Sequence, residues 1–337
     1  MSNYAYVATR ARSRRSRLLP AEAYNQLLNL EHAEIARYIQ DLEYRREIDR
    51  YGSTLSGADL IETALVDNLA KDIGDFLSFS KGKLRDILHV YAEKYRVDNL
   101  KNIIRGINQN MDRQNLERLV CPINDSDKDL YSKLYDSKTV EDVISSLEGT
   151  SYYNPLKKAL ESRNSDSLQP LEDTLDLIYY RNLVSNQPSG GADVEVYRNF
   201  VQLKVDIANI KTLLRMRHRG IGSHDELLIS GGTLATDLLA STQSLEDLLS
   251  SLEGTKYFEL LEPHLMPDSV DLNSCVHSLD EYMAKKTKRF SYLYPLSVLP
   301  VLDYLLKKER EVYNLRAIVR GKQAGLANDI IEELVVV

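Results

Sequence analysis

The chain has 337 residues, 43% apolar and 28% charged, with 43 Lys and Arg against 50 Asp and Glu for a net charge of −7. That apolar content excludes a mainly disordered chain, and the negative balance excludes a nucleic-acid binder by bulk charge. The length corresponds to two or three domain-sized units, or to an array of smaller ones.

The first element expected is a helix near the N-terminus, where Arg10, Arg12, Arg14, Arg15 and Arg17 form the one basic cluster. One reading is an arm for phosphates or anionic lipid. The other, preferred because the net charge is negative, is a helix whose Arg stems cover apolar surface and pair with acids elsewhere. The segment has no apolar core of signal-peptide type, so no signal peptide is expected. Long helices are then expected in pairs: Ala58–Phe79 with Leu84–Arg105, Leu171–Asn186 with Val194–Arg217, and Asn273–Tyr292 with Val298–Arg320. In Leu84–Arg105 the apolar residues follow the i, i+3, i+4, i+7 spacing of an amphipathic helix about 33 Å long. Ser80–Lys83, Asn186–Ala192 and Tyr294–Ser297 read as the turns between partners, and Ser162–Ser167 and Gly231-Gly232 as surface loops. No run shows sustained strand alternation. The most apolar stretch, Tyr292–Leu306, is short of the ~20 residues of a spanning helix and carries Pro295, Pro300 and Asp303.

Two motifs recur with one period. Residues 140–153 (VEDVISSLEGTSYY) and 245–258 (LEDLLSSLEGTKYF) share nine of fourteen positions at an offset of 105. A fainter copy is read at Ile35–Tyr44, with Leu42-Glu43 aligned on Leu147-Glu148. The second motif is apolar, any, Asn, apolar, basic, any, apolar, apolar, Arg. It occurs at Val97–Arg105, Ile207–Arg215 and Val312–Arg320, at offsets of 110 and 105. The chain is therefore read as three helical units of about 105 residues: 1–95, 96–203 and 204–310, with 311–337 as a closing helix packing near the N-terminal segment. The third copy lacks a following half, so the two ends are expected to lie close and the units to close into a ring.

Residues for chemistry are sparse. No phosphate-binding loop is present; Gly220-Ile-Gly222 lacks a third glycine and a preceding strand, and Gly190-Gly191 reads as a turn. Cys121 and Cys275, 154 residues apart, form neither a disulfide framework nor zinc spacing and fit a reducing compartment. Cys275 and His277, like the neighbours His224, Asp225 and Glu226, do not face each other on a helix. No catalytic, metal or cofactor residues are expected. Gly149 and Gly254 read as helix stops. In the Asn motif the apolar positions are assigned to the core and Arg to the helix end, where it favours the dipole. The alternative is that Arg105, Arg215 and Arg320, with Lys101, Lys211 and Arg316 one turn earlier, line a common axis or meet a partner.

Three helical copies, the run Tyr4–Arg12 (YAYVATRAR), and the ending Asn314–Lys322 (NLRAIVRGK) together resemble the C subunit of archaeal-type (A-type or V-type) ATP synthases, whose eukaryotic V-type counterpart is called the d subunit. Leu100-Lys101 with Arg105-Gly106 and Leu315-Arg316 with Arg320-Gly321 are similar to the family's helix ends; the middle copy departs, with Met216 at the glycine. The resemblance implies an all-α fold of three similar subdomains in pseudo-threefold arrangement, forming a funnel. It implies a non-catalytic central-stalk connector that binds the D and F stalk subunits at one face and the membrane proteolipid ring at the other. It would transmit torque between ion translocation and ATP turnover, peripherally at the cytoplasmic face of the membrane, with no cofactor, small-molecule substrate or nucleic acid. The alternative is a helical-repeat scaffold for a soluble protein partner, against which the 105-residue period argues, since peptide-binding arrays repeat every ~34–47 residues.

Overall fold

The computed structural model describes residues 2–162, 167–188, 192–221, 225–266 and 269–336. Gly190-Gly191, Gly222, His224 and most of the Ser162–Ser167 loop lie outside the described residues. The regular elements among the described residues are helices apart from a small antiparallel ladder, Leu265–Met266 with Ser269–Val270. The chain divides into two compact units: Met1–Pro170 with Pro300–Val337, and Leu171–Leu299.

The first unit opens with α1 (Tyr4–Arg15), α2 (Ala21–Leu27), α3 (His32–Gln40) and α4 (Arg45–Tyr51). A long hairpin follows, α5 (Gly57–Phe79) and α6 (Lys83–Asn108), within three residues of the expected pair at every end. Short helices α7 (Arg113–Leu119), α8 (Asp125–Leu134), α9 (Val140–Ser145) and α10 (Tyr153–Glu161) complete this run. Three arginines of the basic cluster pair with acids within the fold. Arg14 bonds Asp72 and Asp75 at 2.6 and 2.5 Å, Arg15 bonds Asp303 at 2.6 Å, and Arg17 bonds Glu43 at 2.9 Å. Arg10 stacks on the Tyr6 and Phe79 rings. These are the stem-covering, acid-pairing roles read from the sequence.

The second unit holds α11 (Gln169–Ser185), α12 (Ala192–His218), α13 (Thr236–Ser241), α14 (Leu245–Ser251), α15 (Lys256–Leu261) and α16 (Leu272–Leu293). The chain then returns to the first unit in α17 (Leu299–Gln323) and α18 (Asn328–Leu334). Helix α17 meets the N-terminal elements through buried polar contacts. Lys308, 1% exposed, donates to Tyr44 at 2.8 Å and to Glu311 at 3.1 Å, and the backbone N–H of Leu19 donates to Glu311 at 2.6 Å.

The fourteen-residue repeat is a helix with two punctuation marks. Thr139 and Asp142 cap α9 reciprocally, backbone N–H to side chain in both directions, at 3.0 and 3.1 Å; Ser244 and Asp247 do the same for α14 at 3.1 and 3.0 Å. Gly149 and Gly254 then turn the chain at φ of 84° and 75°, a conformation that costs other residues a Cβ clash. The faint N-terminal copy is corrected by three residues. In α3 the backbone N–H of Glu31 donates to Glu34 at 2.9 Å, at the cap position of Thr139 and Asp142, an offset of 108. Leu42, aligned by sequence on the buried Leu147, is 41% exposed, whereas Tyr44, Tyr152 and Tyr257 are all buried.

Candidate functional site

The three long helices α6, α12 and α17 end identically. Asn110, Gly220 and Gly325, each eleven residues after the motif Asn, have φ of 54°, 66° and 71°. The following N–H, of Met111, Ile221 and Leu326, donates to the carbonyl of Gly106, Met216 and Gly321 at 2.9, 3.0 and 3.0 Å. The turn residue's own N–H bonds the carbonyl three back, at 3.0, 3.1 and 3.0 Å. Each end is thus a Schellman motif, satisfying carbonyls that a helix terminus leaves open.

Beyond the turn, the motif Asn reaches the returning chain. Asn99 donates its amide to the Cys121 carbonyl at 2.8 Å and accepts the Cys121 N–H at 2.9 Å. Asn209 makes the same pair with Ile229, and Asn314 with Val336, at the same two distances. Each Asn is at most 3% exposed. A buried carboxamide, with one donor and one acceptor side by side, is the side chain that matches a peptide's own N–H and C=O. Each Asn is therefore a clamp on the chain 22, 20 and 22 residues downstream.

After Gly106 and Gly321 a seven-residue helix packs back on the glycine. A Cβ at Gly321 would stand 2.6 Å from Ile331 Cγ1, and one at Gly106 would collide with the Leu116 side chain. Met216 fills that position in the middle copy, and among the described residues the returning segment there has a three-residue 3₁₀ turn, Asp225–Leu227, in place of the helix. The glycine is thus the seat for the following helix.

A third contact recurs. Tyr44 donates to Glu311 and Tyr152 to Glu93, both at 2.5 Å, and Tyr257 to Asp206 at 3.1 Å. Glu311 and Asp206 lie three residues before their motif Asn, and Glu93 six before Asn99. Burial, then the adjacent carboxylate, pushes each phenol far above its ordinary range, so each remains a donor. Asp206, fully buried, also accepts the N–H groups of Thr233 and Leu234 at 2.8 and 3.1 Å.

The motif cations sit beside the clamps. In the first unit a cleft of about 620 Å³ between α5, α6 and α17 is lined by Arg105, Arg316 and Arg320 together with Glu62, Asp98 and Glu309. Arg316 donates to Glu62 at 3.3 Å; Arg320 bonds Glu62 and lies 3.6 Å from Asp59. Glu62 is buried, so the two guanidiniums supply the charge that its burial requires. Lys101 lies one turn before Arg105 on α6, half-buried. In the second unit Lys211 pairs with Asp280 at 2.6 Å and Arg215 with Asp173 at 2.8 Å, beside a recess of about 200 Å³. Sequence reasoning selected these cations but missed their acids, the phenol–carboxylate contacts and the Schellman turns. The available signals were an Asn or Gly at position +11 and, in the second and third copies, an acid at −3.

Among the described residues, neither cysteine forms a reactive pair with a histidine near it in sequence. Cys275 is buried, its thiol pushed up to about 11 by burial and then by Asp271, while His277 two residues on is exposed. Burial pushes the Cys121 thiol higher still. No group of three or more His, Cys, Asp or Glu suited to a metal occurs among the described residues. Nor is any helix there long and apolar enough to cross a membrane.

Thrice-repeated helix ends, backbone clamps and buried phenol–carboxylate contacts define a helical-repeat protein. The family model described as ATP synthase (C/AC39) subunit matches residues 7–334. The chain is 36% identical to the A-type ATP synthase C subunit of Haloferax volcanii, over 99% of this chain and 98% of that protein. It is 33% identical to the protein of that name from Archaeoglobus fulgidus (99% and 96% covered) and 32% identical to that from Methanosarcina mazei (100% and 93%). The chain belongs to the ATP synthase (C/AC39) subunit family.

Proposed function

We propose that this chain is the non-catalytic central-stalk connector of a rotary A/V-type ATP synthase. It links the D and F stalk subunits to the membrane proteolipid ring at the cytoplasmic face and transmits torque between ion translocation and ATP turnover. The carrying observation is family membership over nearly the whole chain, with relatives named as the C subunit of A-type ATP synthases. We further propose that the repeats close in a pseudo-threefold funnel. In support, the contacts follow a cyclic order: Tyr152 bonds α6, Tyr257 bonds α12, and Tyr44, from the first copy, bonds α17 from the last. Arg316–Glu62 likewise repeats Lys211–Asp280, with the last long helix using an acid from the first hairpin.

A torque coupler must resist shear, and long helices tied by buried polar clamps are stiff because each clamp opens only by exposing unpaired polar groups. We propose Arg105, Arg215, Arg320, Lys101, Lys211 and Arg316 as partner-contacting or axis-lining cations; polar rims of this kind suit interfaces between separately folded subunits. The test is a pulldown from detergent-solubilised membranes with this chain as bait, read by mass spectrometry. Recovery of the catalytic A and B subunits, D, F and the proteolipid is expected. Recovery of soluble partners with no ATPase subunits would overturn the connector reading in favour of a scaffold.

A further inference from the structure

The end of α16 carries a feature that the repeats do not explain. Tyr292, Leu293, Tyr294 and Leu296 are 63%, 59%, 42% and 61% exposed, the largest concentration of exposed apolar side chains among the described residues. The turn that bears them is fixed. The Tyr294 N–H bonds the Phe290 carbonyl at 2.9 Å, and the Ser297 N–H and hydroxyl both bond the Tyr294 carbonyl, at 3.2 and 2.8 Å. The corresponding end of the first hairpin is covered. There Asn3 bonds the Phe79 carbonyl and the Lys81 N–H at 2.8 and 3.0 Å, Arg10 lies over the Phe79 ring, and Tyr6 meets that ring edge-on.

Charge is organised behind the apolar end. Residues 282–302 contain Lys285, Lys286, Lys288 and Arg289 and no acid, in a chain of net charge −7. Lys285 is paired with Glu281, and Lys286 lies over the Tyr282 ring. Lys288 and Arg289 are exposed and stand one turn, about 6 Å, before Tyr292 and Leu293 on the side of α16 away from its buried Met283, Thr287 and Ser291. Along the chain the order is therefore two cations, then an apolar end in which tyrosines and leucines alternate: Tyr292, Leu293, Tyr294 and Leu296.

We propose that this hairpin end docks on an anionic lipid surface. Lys288 and Arg289 meet the phosphate groups, Tyr292 and Tyr294 take the interfacial level, and Leu293 and Leu296 enter the acyl boundary. A bilayer presents an anionic phosphate layer next to an interfacial and acyl boundary, which matches cations beside a mixed tyrosine–leucine end, and aromatic rings with a polar tip are stable at the interface.

The chain contains no tryptophan, so Tyr292→Trp in the full-length protein gives a single reporter. Mixed with phosphatidylcholine vesicles containing phosphatidylglycerol, its emission is expected to shift to the blue and to be quenched by brominated acyl chains. Adding Lys288→Glu and Arg289→Glu should weaken vesicle binding at least about tenfold, as should raising the salt. Adding Leu293→Ser and Leu296→Ser should abolish the quenching. All four positions are exposed, so an unchanged thermal melt is the control for folding. No blue shift with the anionic vesicles, or equal binding to neutral vesicles unaffected by the charge reversals, would overturn the proposal. So would binding to native membranes but not to vesicles made from their extracted lipid, which would assign this end to a protein partner.

Discussion

Asn314 and Val336 exchange two hydrogen bonds, carboxamide to carbonyl at 2.8 Å and peptide N–H to carboxamide at 2.9 Å. The same exchange joins Asn99 to Cys121 and Asn209 to Ile229. Removing the carboxamide leaves a peptide group without partners. Asn314→Ala is expected to cost about 1–3 kcal/mol and to accelerate exchange of the Val336 amide hydrogen selectively, while Asn99→Ala accelerates that of Cys121. An unchanged Val336 rate in Asn314→Ala would contradict the clamp.

Gly321 gives the α18 side chain Ile331 its seat. Alanine favours a helix interior over glycine by about 1 kcal/mol, but a Cβ 2.6 Å from Ile331 Cγ1 forces repacking, which costs about 1–3 kcal/mol. Gly321→Ala should therefore destabilise on balance. Combining it with Ile331→Ala should cost less than the sum of the two single changes, by at least about 0.5 kcal/mol in denaturant unfolding.

Asp142 and Asp247 carry the acid dependence of the repeated caps. The Thr139 side chain, with the N–H groups of Lys138 and Thr139, holds Asp142 below its ordinary value; the Gln243 N–H, then the Ser244 side chain, do so for Asp247. A carboxyl lowered on folding stabilises the fold above its unfolded value of about 3.9, and that stability is lost as pH falls through the lowered folded value. Carboxyl titration by NMR should find both below the unfolded value. Asp142→Asn should remove its part of the loss of stability below about pH 4.

The buried Lys308 sits between Tyr44 and Glu311, whereas Arg113 forms its ion pairs on the surface. Breaking a buried pair from one side leaves an uncompensated charge. Lys308→Met is expected to cost about 3–5 kcal/mol, and Arg113→Ala less than about 1 kcal/mol. Thermal melts of the two variants should separate accordingly.

Both thiols are buried in the folded chain. With Cys275 pushed up to about 11 and Cys121 higher, neither forms appreciable thiolate at pH 8. A thiol reagent should modify neither within the time in which it modifies both after denaturation. Rapid modification of the native protein at pH 8 would contradict this burial.

Local structure was legible in the order of residues alone. Apolar spacing set the six long helices, because the 3.6-residue period is written in side chains along one segment. Gly149 and Gly254 marked helix stops because φ above zero suits glycine. The period near 105 exposed the repeats, since capping Ser, Thr and Asp and the motif Asn recur as recognisable side chains. What those side chains hold was settled by packing in three dimensions. The clamp partners Cys121, Ile229 and Val336 share no side-chain character, because Asn grips their peptide groups, and every residue has the same N–H and C=O. Packing also settled which acids meet Arg316 and Arg320: Glu62 lies more than 250 positions away, and a charge's partner depends on helix rotation and contacts that no single segment encodes.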